Sequence, residues 1–372
     1  MSESSRPDLW PWLQQPLMAA LAQLHSHAVL LHGPEGVGQF EFALAMARSW
    51  LCEAVPVGSA HQPACGRCTS CHLIDAGSHP DLMVVLPEAL QASLGWQAAS
   101  EDGESSEKSS SGKTKKLSQE IKVDAIRAVV QFSQHTASRG RAKVVLVHPA
   151  ERMNLIASNT LLKTLEEPPG QVRFVLSGAA LDQLLPTVRS RCQAWRLPLP
   201  DTEVATAWLQ SQLDGIAPAD ARILLDAAGG QPLTARDRRE LGLDARYWPQ
   251  IPKDLQGGTA TALTGWPLVL VVETLQKVCH DLACVAAGAA PRYFPAASLP
   301  AAPDLNLLTS WAQELRKTSR HAEHPWNQNL KVETLLLQAR AVMRPRKPRA
   351  TRRAEASRHP GRGVSRRKAP PR

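Results

Sequence analysis

Residues His27 to Leu31 (HAVLL) form a short apolar run that leads into Gly33–Phe40, GPEGVGQF, and then into Glu41–Leu51, which is rich in Ala, Leu and Met at helical spacing. Strand, glycine loop, helix is the setting of a phosphate-binding loop, where backbone N–H groups at a helix start cradle phosphate. It demands a strand that feeds a helix, and so points to an α/β sheet. Taken alone, the string also fits an ordinary strand-to-helix turn. The intact motif reads Gly, four residues, Gly, Lys, then Ser or Thr. Gly33 and Gly38 are in place, but Gln39 holds the lysine position and Phe40 the hydroxyl position. The lysine reaches the outer phosphates and the hydroxyl binds magnesium. Gln39 brings no charge and Phe40 binds no metal, so the shape is kept and ATP is not expected to bind to this chain.

Four further apolar runs read as strands: Leu82 to Leu86, Lys143 to Val147, Val172 to Ser177 and Ala194 to Leu197. Helical patterns at Val123 to Gln134 and Glu151 to Glu167 separate most of them. Alternating strands and helices predict a mainly parallel sheet with helices on both faces. Leu197-Pro198-Leu199-Pro200 marks a domain boundary, since two prolines break any regular element. Asp201 to Ala228 then reads as two or three short helices, stopped at Gly229-Gly230-Gln231-Pro232. Beyond a connector, Leu268 to Ala287 places Leu268, Val271, Val272, Leu275, Val278, Leu282 and Val285 on one helix face. Leu305 to Leu315 and Leu330 to Met343 are similar, so this last region is an all-helical unit that packs on itself or on a partner.

The 372 residues suffice for two or three domains with real cores. The formal charge of +9 is misleading: residues 344–372 hold twelve Lys or Arg against one Glu, which is +11 and leaves the rest at −2. That tail also holds five prolines and is expected to be disordered. A nonspecific hold on nucleic acid and a plain solvated extension both fit it. A Ser-rich stretch at about 98–116 is expected to be a disordered surface loop. No apolar run approaches the roughly 18 residues that span a bilayer. The N-terminal MSESSRPDLWPW lacks a basic-then-apolar leader, so a cytoplasmic protein without membrane contact is expected.

Of seven cysteines, Cys65, Cys68 and Cys71 lie three apart in ACGRCTSCH, and Cys52 lies upstream at the end of the first helix after the loop. Four thiolates suit one tetrahedral zinc ion in a closed, structural site. His72 is a spare candidate ligand. An iron–sulfur cluster or a redox pair are the alternatives. Cys192, Cys279 and Cys284 lack such spacing and read as neutral packing thiols.

A second motif is also broken. The strand Lys143–Val147 runs into His148-Pro149-Ala150-Glu151, where a phosphate-loop ATPase carries acids that hold magnesium and polarise water. His148 takes the first such position and only Glu151 stays acidic. Further on, TVRSRC (Thr187 to Cys192) sits just before the last strand. An arginine there, at Arg189 or Arg191, can project from the domain edge, and one that reaches a neighbour's outer phosphate stabilises transition-state charge. A surface ion pair is the plainer reading of any single arginine.

Together these strings resemble the delta-prime family of bacterial DNA polymerase III clamp-loader subunits, within the AAA+ class. The resemblance rests on GPEGVGQF, the Cys52/Cys65/Cys68/Cys71 set, HPDL at His79 to Leu82, IKVDAIR at Ile121 to Arg127, NTLLKTLEEPP from Asn159, SRC at Ser190 to Cys192 and AGGQP at Ala228 to Pro232. It covers about residues 8–343 and is strongest over 27–200. It implies an AAA+ module over 1–198 with a zinc insertion at about 52–72, a helical lid over 199–245 and a helical collar over 246–343; the basic tail over 344–372 lies beyond it. It further implies a five-membered ring with gamma/tau ATPase subunits and a delta subunit, acting on a sliding clamp and primed DNA. In that ring this chain hydrolyses no ATP, and Arg191 reaches a neighbour's ATP site as an arginine finger. Ser177 falls where relatives carry a nucleotide-sensing residue. The Ser-rich stretch and the basic tail depart from the family pattern. Two other functions compete: an ATP-hydrolysing gamma/tau-like subunit that tolerates Gln39, and a zinc-ribbon nucleic-acid binder.

Overall fold

A computed structural model describes residues 9–56, 62–96, 117–259, 263, 265–321 and 328–344. The stretch at 98–116 that was expected to be disordered lies outside the described residues, and so does the tail from 345 onward. Contacts divide the chain into two compact units, Met1–Ile251 with Pro291–Ser298, and Pro252–Ala290 with Leu299–Arg372. No described helix is long and apolar enough to cross a membrane.

The first unit is built on five parallel strands: β1 (Ala28–His32), β2 (Leu82–Val85), β3 (Lys143–Val147), β4 (Val172–Gly178) and β5 (Gln193–Arg196), ordered β2-β3-β4-β1-β5. All five expected strands are present, within a residue or so of their expected ends. The three central strands are near-continuous apolar runs because both faces are covered. Alternation sends Val29, Leu31, Val144, Leu146 and Val175 into one core with α1 (Pro11–Gln23) and α2 (Gln39–Leu51). Ala28, Leu30, Val145, Val147, Phe174 and Leu176 enter a second core on the other face. There they meet Ile126 and Val129, and Ala157, Leu161 and Leu165. These belong to α5 (Val123–Gln134) and α6 (Leu155–Glu166), which follow α3 (Thr69–Asp75) and α4 (Glu88–Gln91) in the chain.

The expected helix at Glu151–Glu167 is in fact two pieces. A 3-10 turn at Ala150–Arg152 comes first, and α6 starts afresh where the Asn154 side chain accepts from Ala157 N at 2.8 Å. Pro168 and Pro169 end it. A short α7 (Pro186–Arg189) precedes β5. Then follow α8 (Thr202–Gln212), α9 (Pro218–Ala227) and α10 (Pro232–Glu240), all in the same compact unit as the sheet. α10 was not foreseen, because Pro232 reads as a stop; here it sits in the first helical turn, where its missing N–H costs nothing.

The second unit is helical: α11 (Ile251–Gly257), which begins at the last residue of the first unit's main segment, α12 (Leu268–Ala286), α13 (Leu305–Arg320) and α14 (Gln328–Met343). α12 packs on α13 and α14. Leu275, Val278, Leu282, Leu308, Trp311, Leu315 and Leu335 are buried, and Cys279 donates its S–H to Leu308 O at 3.4 Å. Burial raises the Cys279 thiol to about 11 and Cys192 to about 12, as neutral packing thiols require.

Candidate functional site

The glycine loop joins β1 to α2 at the carboxyl end of the sheet, where open parallel sheets receive ligands. Gly38 adopts φ 97°, a left-handed conformation open to glycine, and a Cβ there would also stand 2.7 Å from the Trp10 ring. Gln39 turns back on the loop. Its Nε2 donates to Gly33 O at 3.1 Å and to Pro34 O, so the side chain that replaces the phosphate lysine satisfies the loop's own carbonyls. Phe40 is buried in the α2-side core, with its ring centroid 5.5 Å from that of His148.

Neighbours clasp the loop from outside. Trp12 Nε1 donates to Val37 O at 2.9 Å, and Leu233 N of α10 donates to Gly36 O at 3.2 Å. Trp12 meets Trp208 of α8 edge-on, 5.0 Å between centroids. A cleft of about 520 Å³ remains beside the loop. Its walls carry Glu35, Glu41, Glu151, Asp237 and Glu240 against Arg236, which is itself paired to Asp237 at 2.9 Å. Burial first, partly offset by a backbone hydrogen bond and Arg236, holds Glu41 above the usual carboxylate range.

The metal-strand position is equally altered. His148 Nδ1 lies 3.0 Å from Ser177 Oγ, and burial pushes the imidazole down to about 4, so it is neutral near pH 7. Glu151 Oε1 accepts from Ala179 N at 2.9 Å and Ala180 N at 3.1 Å. It braces the turn after β4, and a Cβ at Gly178 would run into its carboxylate. The one acid left from the expected motif is thus spent on the backbone.

Cys52, Cys65, Cys68 and Cys71 come together, their sulfurs all within 4.8 Å of one another. Cys52 to Cys68 is 3.8 Å and Cys68 to Cys71 is 3.5 Å. Zn–S bonds of about 2.3 Å in a tetrahedron need sulfurs roughly 3.8 Å apart, so the donor set fits a zinc ion with shifts of an ångström or less. His72 is not in the group. Burial raises Cys71, while backbone donors, Arg67's first, lower Cys65 to about 6.

The sequence reading missed how this knuckle is tied to the sheet. Ser70 donates to Glu53 Oε1 at 3.1 Å and lies 3.2 Å from His79 Nε2. His79 Nδ1 accepts from Asp81 N at 3.1 Å, which fixes its proton on Nε2. The fully buried Asp81 carboxylate accepts from Ser138 N at 2.7 Å and Arg139 N at 2.9 Å, with Lys143 Nζ 3.8 Å away. Arg139 closes the circuit onto Glu53, its Nε 2.9 Å from Oε1. The string His79-Pro80-Asp81-Leu82 was the available signal; its histidine and aspartate are hubs of this network.

Arg191 follows α7 at the surface. Its Nε and Nη2 both donate to Glu166 at the end of α6, and Nη1 donates to Thr187 O at 2.8 Å and Ser190 Oγ at 3.3 Å. About a third of the side chain is exposed. It is therefore an ion-paired but accessible arginine, remote in the chain from the degenerate loop.

This architecture defines a phosphate-loop type α/β module whose own loop lacks both the phosphate-reading lysine and the magnesium-binding hydroxyl. Residues 13–201 match the family described as DNA polymerase III, delta subunit, and since this is half of the chain, the protein belongs to that family. Over 232 residues it is 38% identical to DNA polymerase III subunit delta' of Pseudomonas aeruginosa, covering 62% of this chain and 61% of that protein. The Escherichia coli K12 subunit delta' is 32% identical over 208 residues, covering 55% of this chain and 53% of that protein. The chain thus spans under two thirds of the length of these relatives. A DNA polymerase III gamma subunit-related protein from Thermotoga maritima shares 16% identity at a TM-score of 0.44, covering 89% of this chain and 99% of that one.

Proposed function

We propose that this chain is a delta-prime subunit of a DNA polymerase III clamp loader that burns no ATP itself and acts on a neighbour's. The observation that carries the reading is the loop: Gln39 bonds Gly33 O and Pro34 O, and Phe40 is buried, in a protein whose relatives are named delta'. The first unit serves as the AAA+ module with its lid at 199–245, and the helices over 246–343 serve as the collar. Gamma/tau ATPase subunits and a delta subunit complete a five-membered ring that places a sliding clamp on primed DNA. One structural zinc ion at the four cysteines stiffens the insertion.

Arg191 is the residue offered to the neighbour. Its ion pair with Glu166 is solvent-exposed, of a kind worth about 0.2–1 kcal/mol, so a phosphate competes for it readily. The test is to assemble the chain with candidate ATPase subunits and compare ATP turnover for wild type and Arg191→Ala. A transferred arginine contributes about 10³ to 10⁵ in turnover; a large loss is expected, and unchanged turnover in an intact complex removes the role. ATP turnover by the purified chain alone would reject the reading as a whole.

A further inference from the structure

The end of α6 and the residues after α7 meet at the amino end of the sheet. β3 and β4 are parallel, so α6 carries the chain back to where β4 starts, and Arg191 stands two residues before β5. The glycine loop lies at the other end, after β1. Two anchored elements hold the Arg191 fork. α6 stops at Glu166 ahead of Pro168 and Pro169, and just before it Leu165 is buried and its carbonyl accepts from His27 Nε2 at 2.7 Å. α7 is pinned by the fully buried Val188.

A guanidinium has five N–H donors. In Arg191 four are engaged: Nε and one on Nη2 by Glu166 Oε1, and the two on Nη1 by Thr187 O and Ser190 Oγ. A single N–H, on Nη2, is left. An incoming phosphate therefore meets no open fork, and to bind it in the two-pronged way that guanidinium groups favour, Arg191 must give up Glu166. Thr187 O and Ser190 Oγ are neutral, so among the described residues Glu166 alone balances the charge. Glu166 is close to half exposed and Arg191 about a third, so the exchange disturbs no core. A pair this exposed is weak. One carboxylate also carries a single charge, where the phosphates of a triphosphate carry several.

We propose that Glu166 is the resting counter-ion of Arg191. It holds the guanidinium neutralised while no triphosphate stands opposite, yields it to the outer phosphate, and takes it back once that phosphate has left. Glu166 thus sets how much triphosphate is needed, and not the rate of the chemical step. This rests on the reading above that Arg191 serves a neighbour's ATP; the role of Glu166 is what is added.

The test uses the full chain assembled with its ATPase partners. kcat and KM for ATP, and Kd for ADP, are measured for wild type, Glu166→Gln, Glu167→Gln, Arg191→Ala, and Glu166→Gln with Arg191→Ala. Glu166→Gln keeps the shape and an acceptor oxygen but removes the charge. It is expected to lower KM for ATP by up to about fivefold, the upper worth of an exposed pair. kcat should be no lower and Kd for ADP unchanged, since the gain is in binding shared by ground and transition states. In the Arg191→Ala background the same substitution is expected to do nothing. Glu167 is one residue on, with the same charge and, among the described residues, no ion pair to Arg191, so Glu167→Gln is expected to match wild type. If Arg191→Ala slows turnover while Glu166→Gln leaves KM in place, or lowers kcat as a lost aligner would, the counter-ion role is overturned and the neighbour-ATP reading stands. If Glu167→Gln lowers KM as much, the general field is responsible and the role is likewise overturned. If Arg191→Ala is silent in an intact complex, the neighbour-ATP reading falls and this role falls with it.

Discussion

Restoring the two missing motif residues, Gln39→Lys with Phe40→Thr, should not restore a nucleotide site. Three effects oppose it. The new lysine lies within reach of Gly33 O and Pro34 O, which already hold the Gln39 amide, so the loop itself captures the ammonium. Phe40 is buried against the sheet and His148. Truncating a buried Phe to Ala costs about 3–5 kcal/mol, and Thr keeps one methyl, so roughly 2–4 kcal/mol is expected. At about 2–4 °C per kcal/mol for a unit of this size, melting should fall by about 5–15 °C. The cleft's acids oppose the ligand directly. Each like-charge pair costs about 0.5 kcal/mol at roughly 8 Å in water, about half that after salt screening. Five carboxylates against one guanidinium leave an excess of four. The new lysine lowers that excess to three, and the magnesium complex of ATP carries about two negative charges, so the repulsion amounts to about 1.5 kcal/mol, roughly tenfold in Kd. Equilibrium dialysis with labelled ATP and magnesium, alongside thermal melting, measures both effects. Submillimolar binding by the double variant at an unchanged melting temperature would refute this account of the loop.

Three other outcomes are expected. Cys68→Ser should lose stoichiometric zinc, measured by metal analysis, and destabilise the insertion, because metal binding supplies local folding energy; full metal retention would show the ligand set to be wrong. Asp81→Asn should cost about 3–5 kcal/mol in denaturant unfolding of the first unit, since it leaves Lys143 buried without its counter-charge and one backbone donor unmet; a loss under about 1 kcal/mol would contradict the hub role. His148 titrates at about 4 when folded against 6.5 in the free side chain, so the unfolded chain binds the extra proton first. Its contribution is complete above pH 6.5 and drains away as pH falls toward 4, on the order of 3 kcal/mol in all. His148→Asn should flatten the stability curve in that window, and an identical curve would remove the assignment.

Much of the sheet was legible in the sequence because parallel strands buried on both faces are plain apolar runs, as in Lys143–Val147. The cysteine set was legible because ligand spacing is local, and the structure gathers all four sulfurs as expected. What escaped was long-range polar wiring. Nothing local tells that Asp81 accepts from Ser138 and Arg139, more than fifty residues on, or that Glu151 braces the turn after β4. α1 escaped for a different reason: Pro11 and Pro16 read as breakers, yet Pro11 occupies the first turn and the helix is held by packing of Leu13, Leu17 and Leu21.

The clasp on the glycine loop has a mechanical meaning. In a nucleotide-driven switch this segment relaxes and tightens with each turnover. Here α1 and α10 rivet it in place, through Trp12 on Val37 and Leu233 on Gly36. At Gly36 a single added methyl would stand 2.9 Å from the Thr234 backbone nitrogen. Such a change would leave every ionisable group untouched, yet lever one helix off the strand layer. The module's worth to an assembly would then vanish through lost posture, with its chemistry intact.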